Sequence, residues 1–390
     1  MDHRKLIKQY DLGHIEEHSA GLIHFHPQGQ KVFKKLRHYI ADIHEQQGYQ
    51  EVSSPVLLHK DMWVKSGHWE KYQELMFVEA SEDMAIKPMS CPGHINIFQH
   101  KRRSYRELPY RLFEFGHVHR KEPSGALSGW MRLRGFVQDD SHVFCFKEHI
   151  EDVVSSFVKM CEKVYKDFGF VSWQWQLSLR PQKRSGSDEL WDQAEGALRG
   201  ACHGLGIQAC EKEGDGAFYG PKLEVILKDH LGRNWQCGVA QLDFVLPQRF
   251  DLSAQDKNGK RQDVVMVHHA VLGSLERFVS ILLEERGCLP HWLAPQQVAV
   301  CPISEGQYSY AQSVCDILKG RGFSCQVEKE GSLSSRLKAL DDKMVPFRVV
   351  VGQKEMDEGK VSLRMFHEAS VVMGLGPCIL KLQKELSVPF

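Results

Sequence analysis

The chain has 390 residues, 42% of them hydrophobic and 26% charged, and its 50 basic and 50 acidic side chains cancel. That length is enough for two domains with cores of their own, and the even charge excludes a surface that is basic throughout, so any nucleic-acid contact must use a local patch. Eleven cysteines, an odd count without framework spacing, predict reduced thiols in a cytoplasmic protein; the N-terminus lacks the apolar core of a signal peptide, and no stretch approaches the length of a membrane span.

Residues 1–27 are mixed and rich in histidine. His14 and His18 stand four apart and would share a helix face; a surface pair is preferred here to a metal site. Residues 28–47 are predicted to be helical, because Phe33, Leu36, Ile40 and Ile43 fall at helical spacing, with Gly48 placed to end the helix. Residues 49–55 read as a strand closed by Pro55. The segments Ser66 to Trp69 and Lys87 to His94 follow, the second carrying Cys91 between Ser90 and Pro92. Residues 111–145 read as strand, loop and strand. Arg132, Arg134, Phe136, Gln138, Asp140 and His142 alternate, so a strand through them puts all six side chains on one face. Arginines bind phosphate with a fixed fork of donors, and an aromatic ring can stack on a base. A solvated sheet face would also alternate, but without this particular set of side chains.

Residues 147–168 are predicted as an amphipathic helix. Residues 214–222, rich in glycine, have the composition of a hairpin. Val264–His269 reads as a strand, and Gly273 leads into a helix through Leu283. The texture changes near Trp292, where a domain boundary is placed. Beyond it, strands over Val298–Cys301, Ser324–Val327 and Phe347–Val351 alternate with helices over Tyr308–Lys319 and Leu333–Leu340. Such alternation implies a small α/β domain with a largely parallel sheet.

The run from Arg111 to Cys145 resembles motif 2 of the class II aminoacyl-tRNA synthetases, most closely their threonyl branch. The helix and strand ending at Pro55 resemble motif 1, and Gly273-Ser-Leu-Glu-Arg277 resembles motif 3. Residues 87–94, the run from Arg180 to Glu195, residues 214–222 and Gln236 to Phe244 resemble further core segments in the same order. The resemblance extends from Asp2 to about Arg364. It implies an α+β class II catalytic domain built on an antiparallel sheet over residues 1–291. A small α/β anticodon-binding-type domain would follow over residues 292–390, and motif 1 would form a homodimer interface.

The chemistry implied by this resemblance is the joining of L-threonine to tRNA(Thr) through threonyl-adenylate. Carried over, Arg120 bridges the amino-acid carboxylate and the α-phosphate of ATP, Glu122 reads the adenine amino group, and Arg132 holds the γ-phosphate. Phe136 and Arg277 sandwich the adenine, Gln236 faces the nucleotide, and Mg2+ accompanies the phosphates. Gln138, Asp140, Tyr219, Lys222 and Gln241 match positions lining the amino-acid pocket, and His68 matches a histidine implicated in transfer to tRNA. One Zn2+ would be held by Cys91, His142 and His268, with His268 preferred to its neighbour His269 by register. These ligands are too scattered for their spacing to announce a metal. Glu355 and Arg364 line up with anticodon-reading positions.

Some positions depart from the family pattern. Ser90 replaces an asparagine, Ser128 a histidine, Val239 a threonine and His269 an arginine; none is a ligand or a motif arginine. The family's N-terminal and editing domains have no counterpart in this sequence, so the expectation is that mischarged serine goes uncorrected. From Trp292 onward there are twelve basic and eleven acidic residues, without the usual basic cluster after Arg364. That balance keeps a second reading in play: a paralogue that hands activated threonine, or an analogue, to a non-tRNA acceptor such as a carrier protein. A catalytically dead relative is disfavoured by the intact arginines and ligand set, and prolyl or seryl specificity by the three ligands.

Overall fold

The computed structural model describes residues 2–79, 81, 83–365 and 368–389. Phe366 and His367, in the tail expected to lack a basic cluster, lie outside the described residues. The chain clusters into two compact units. One comprises residues 15–23 and 40–285; the other comprises residues 1–14, 24–39 and 286–390. Residues before 40 thus divide between the two, whereas the expected boundary assigns them all to the first domain. Contacts within the second unit explain this. Lys35 Nζ donates to the carbonyls of Trp292 and Ala294 at 3.0 and 2.9 Å, and Leu289 N donates to the Tyr10 hydroxyl at 3.0 Å.

Helix α1 (Pro27–Gln46) opens on a proline, which suits a first turn whose N–H needs no partner. Val32, Phe33, Leu36, Ile40 and Ile43 are buried at helical spacing, and Gly48 turns the chain at φ 78°. The strand expected over residues 49–55 contracts to β1 (Gln50–Glu51). His14 and His18 share no helix: His14 lies in a two-residue strand, opposite His24 of the strand it pairs with, and His18 in a single 3-10 turn.

Helix α2 (Cys91–Gln99) precedes the long hairpin of β2 (Tyr110–His119) and β3 (Gly135–Cys145), which pair antiparallel along their whole length. The alternation was expected to begin at Arg132, but β3 begins at Gly135. Arg132 is held in a tight turn against Ser128, and Arg134 N donates to Gly21 O at 2.8 Å. Both arginines therefore belong to the loop that the strand supports. Helix α3 (Ile150–Asp167) buries Val153, Val154, Phe157, Cys161 and Val164 along one stripe. It is followed by β4 (Gln174–Ser178), α4 (Asp188–Gly204), β5 (Cys210–Lys212), β6 (Lys222–Lys228), β7 (Asn234–Asp243), β8 (Val265–Ala270) and α5 (Leu275–Arg286). The eight strands form one sheet in the order β5-β4-β6-β7-β8-β3-β2-β1, antiparallel except for its two outermost pairings.

The second unit carries β9 (Val298–Pro302), α6 (Tyr308–Gly320), β10 (Cys325–Val327), α7 (Leu333–Asp342), β11 (Phe347–Val351), α8 (Gln353–Asp357), β12 (Lys360–Met365), β13 (Val371–Gly374) and α9 (Leu375–Glu385). The sheet order is β10-β9-β11-β12-β13. The first three strands are parallel, as the alternation implies, but β12 and β13 add an antiparallel hairpin that makes the sheet mixed. Val298, Val300, Phe347, Val349, Val361 and Leu363 form its core with Val314 and Leu318 of α6.

Candidate active site

One row of side chains crosses four central strands. Lys222 on β6 is opposite Gln241 on β7, Gln241 is opposite His268 on β8, and His268 is opposite His142 on β3. Directly opposed residues project to the same face. Asp140, Gln138 and Phe136 follow His142 at intervals of two and share that face. Cys91 arrives at the first position of α2. Ligand atoms of Cys91, His142 and His268 lie within 4.8 Å of one another, and all three residues are buried. Segments far apart in sequence thus converge through strand register.

The environment of these three residues suits a cation. Among the described residues, His142 Nε2 and His268 Nδ1 have no hydrogen-bond partner. Their other nitrogens are engaged: His142 Nδ1 with His94 Nδ1 at 2.8 Å, and His268 Nε2 with Asp243 Oδ2 at 2.9 Å. Burial, with Asp140 and Asp243 adding to it, pushes the Cys91 thiol well up, and burial drives the His142 imidazole well down. A metal reverses the penalty on the thiolate and uses the neutral imidazole directly. A sulfur and two imidazole nitrogens, with the second nitrogens occupied, form a donor set that fits zinc with positions left open.

A cavity of about 380 Å³ opens over this row. Cys91, His268, Gln138, Asp140, Tyr219, Lys222 and Gln241 line it together with Arg120, Phe136, Gln236 and Arg277. Asp140 accepts from Ser90 N at 3.0 Å, and burial raises its carboxyl. Tyr219 donates its hydroxyl proton to Gln241 Oε1. The Lys222 ammonium meets Glu224 at 2.9 Å. Arg120 donates from Nε to Pro88 O at 3.2 Å, and its guanidinium stands 5.2 Å from the Phe136 ring centre. Arg277 donates to Met131 O and Gln236 O at 2.8 and 3.0 Å. These anchors hold both guanidinium groups while, among the described residues, part of each fork has no hydrogen-bond partner.

Other expected residues are placed differently. Glu122 and the exposed Arg132 are bonded to each other at 3.1 Å and do not line the cavity. His68 is fully buried and does not line the cavity; its Nδ1 lies 2.7 Å from Ser66 Oγ and its Nε2 2.8 Å from Sδ of Met89, which does. Burial, with the charges of His268 and Arg249, pushes its pKa down to about 3. Val239 lines the cavity. The His269 ring bonds Tyr49 Oη at 2.7 Å through Nε2. In the second unit, Glu355 Oε2 accepts from Gly352 N at 3.0 Å, so this carboxylate caps its own helix α8. Arg364 on β12 is half-buried and directly opposite Arg348 on β11.

Two carboxylates went unnoticed in the sequence. Asp139 accepts the backbone N–H groups of Val271, Leu272 and Gly273 at 2.8, 2.9 and 2.8 Å. Burial nevertheless raises its carboxyl to about 7. Glu276 accepts from Val137 N at 3.0 Å. Together they tie β3 to the first turn of α5, which carries Arg277, and to the turn that leads into that helix. Gly273 is needed in that turn: it has φ 73°, and a Cβ there would meet Cys237 O at 2.8 Å. The adjacent Asp139-Asp140 pair was the available signal, since neighbours on a strand face opposite ways.

Comparison with known proteins gives this geometry a family. Residues 74–286 match the tRNA synthetase class II core domain (G, H, P, S and T), and residues 297–374 match an anticodon binding domain. The chain is a class II aminoacyl-tRNA synthetase by fold. It is 47% identical over 380 residues to a threonine–tRNA ligase of Cupriavidus necator, covering 96% of this chain and 60% of that protein. The RNA binding domain of threonyl-tRNA synthetase from Cryptosporidium parvum superimposes with a TM-score of 0.94 at 36% identity, covering 99% of this chain and 98% of that one. A prolyl-tRNA synthetase from the same organism shares the fold at 16% identity, with a TM-score of 0.75 over 98% of this chain and 74% of that one. The chain therefore belongs to the threonyl-tRNA synthetase family, and it spans about three fifths of the length of the curated relatives it matches.

Proposed function

We propose that the chain activates L-threonine with ATP and passes the threonyl group to tRNA(Thr). The observation that carries this reading is that Cys91 and His268, with His142 beside them, line one cavity together with Arg120 and Arg277. Both reactants are anionic, so catalysis here is mainly positioning and charge neutralisation. A carboxylate oxygen of threonine attacks the α-phosphorus; the new O–P bond forms as pyrophosphate leaves. Arg120 holds the carboxylate against the α-phosphate, with its Nε fixed on Pro88 O. Phe136 and Arg277 receive the adenine between them, and Gln236 faces the nucleotide. Glu122 takes the adenine amino group and Arg132 the γ-phosphate, for which their mutual ion pair must open. Mg2+ enters with ATP.

Cys91, His142 and His268 would hold zinc, which when bound supplies a Lewis acid for threonine's amino group and hydroxyl. Gln138, Asp140, Tyr219, Lys222 and Gln241 orient the same amino acid. Valine has the shape but no oxygen, and a site built for a hydroxyl rejects such an analogue strongly. Serine lacks one methyl, which gives discrimination of only roughly 10–200-fold. In the second step the terminal ribose hydroxyl of tRNA attacks the carbonyl carbon and AMP leaves. His68, neutral and buried, supports this step from behind the cavity lining. Glu355 and Arg364 read the anticodon, and the active form is a homodimer through α1 and β1. No described helix is long and apolar enough to cross a membrane, and the cytoplasm is the proposed site of action.

ATP–pyrophosphate exchange with threonine, serine and valine, run beside charging of purified tRNA, tests the reading. Exchange with threonine and charging of tRNA(Thr) are expected. Exchange without charging would favour a non-tRNA acceptor. The tie between Glu355 and its own helix is the observation on that side.

A further inference from the structure

Behind His142 runs a file of buried polar side chains that the chemistry above does not use. His142 Nδ1 lies 2.8 Å from His94 Nδ1. His94 Nε2 has no hydrogen-bond partner among the described residues and stands 3.9 Å from Glu114 Oε2. Glu114 meets the Lys87 ammonium at 2.5 Å and accepts from Ser54 N and Oγ at 2.7 and 2.9 Å. None of Lys87, His94, Glu114 and His142 is more than 3% exposed. Such a group is costly to bury unless its bonds are made.

The file has a direction. A neutral imidazole carries one N–H donor and one acceptor nitrogen. The contact between the two Nδ1 atoms therefore needs a proton on one ring only. With that proton on His94, the His94 Nε2 lone pair would face the Glu114 carboxylate, and the His142 Nε2 proton would point at Cys91 and His268. With the proton on His142, the His94 Nε2–H faces the carboxylate, and the His142 Nε2 lone pair faces the cluster. Glu114 accepts only, and Lys87 and Ser54 hold it in place, so it favours the second arrangement. Asp140 Oδ1, 3.9 Å from His142 Nε2, favours the first, and a metal at the centre, which needs the Nε2 lone pair, decides for the second. His268 is set by a shorter route. Its Nε2–H donates to Asp243 Oδ2 at 2.9 Å, while Asp243 Oδ1 is fixed by Val245 N and Leu246 N at 2.7 and 2.9 Å. That leaves its Nδ1 free to face the same centre.

We propose that Lys87, Glu114 and His94 are positioning residues that fix the tautomer of His142, so that it ligates the metal through Nε2 while His268 ligates through Nδ1. This rests on the metal reading of the previous section. Outer partners of this kind typically govern metal affinity by about 10–100-fold.

The test is metal affinity by competition with a chelator, using zinc and then cobalt for its visible spectrum, on wild type, His94→Leu, His94→Asn and Glu114→Gln. His94→Leu should weaken binding about 10–100-fold and alter the cobalt spectrum. His94→Asn keeps an acceptor oxygen and should recover part of the loss. Equal affinity and an unchanged spectrum in His94→Leu would overturn the relay while leaving the metal site standing. A wild type without stoichiometric metal would overturn both. Should a variant fail to fold, isotope-labelled histidine in wild type loaded with spin-active cadmium decides the matter. Metal–nitrogen coupling on His142 Nε2 and His268 Nδ1 supports the proposal, and coupling on His142 Nδ1 sinks it.

Discussion

The two sheets of this chain are built from similar strands and filled in opposite ways. On the eight-stranded sheet, Glu114, Asp139, Asp140, His142, Glu224, Asp243, His268 and His269 are all buried. On the five-stranded sheet, among the described residues, Arg348 is the one charged side chain buried on a strand, paired with Asp341 at 2.7 Å. Its remaining buried strand residues are almost all valine, leucine, cysteine or phenylalanine. Each unpaired buried polar group costs about 1–3 kcal/mol. A sheet that carries so many must bond them to side chains or backbone or use them on a ligand; the first sheet bonds many of them, as Asp139 and Asp243 show, and the proposed function uses others on a ligand. Polar load beneath a sheet is thus a better guide to chemistry than topology is.

The sharpest way to break the contrast is Cys91→Ala. Removal of one small buried thiol should abolish threonine activation while the circular dichroism spectrum stays that of the wild type. Stripping zinc with a chelator should do the same, reversibly on adding zinc back. A variant that activates threonine normally, or fresh protein without zinc, would show that the polar cluster is structural. Next in size is Arg120→Ala, where loss of one fixed donor to the developing charge should lower pyrophosphate exchange by about 10²–10³. Full activity in that variant would remove Arg120 from the chemistry.

Arg364→Ala addresses the other sheet. A good bidentate contact to a base edge is worth about 1–3 kcal/mol, so tRNA charging should slow by roughly 5–150-fold. Pyrophosphate exchange should stay unchanged, since Arg364 belongs to the other unit. Loss of both activities together would show that the two sheets do not divide the work as proposed.

The smallest effect concerns pH. His44 is fully buried, its Nδ1 2.8 Å from Ile40 O, and burial pushes its pKa down to about 4. A folded pKa below the unfolded one means that the unfolded chain binds more protons in between. The stability from His44 is therefore complete above about pH 6.5 and is lost as pH falls toward about 4. Urea melts across that window should show stability rising with pH, and His44→Gln should reduce the slope by up to one proton. An unchanged slope would mean that His44 is already charged in the folded protein.

Much of this was legible in the sequence because strands write their faces in alternation: Gln138, Asp140 and His142 stand where period two puts them. The loop arginines were misread because alternation says nothing about where a strand begins, and the turn at Gly129, φ 51°, precedes β3. The meeting of His142 and His268 depends on register between distant strands, and that of Cys91 with them on where α2 begins; only the family resemblance supplied either. The β12–β13 hairpin was missed although Val361 and Leu363 alternate inward as a strand should. Asp139 was missed because its bonds go to a turn more than 130 residues away.

That last contact has a consequence for hydrogen exchange. Amides in a turn, outside any ladder, often exchange quickly, because little must open to release them. Val271, Leu272 and Gly273 instead donate to one buried carboxylate on a central strand. Their deuterium uptake should follow the opening of β3 itself, so in an exchange map this turn would report as slowly as the middle of the sheet.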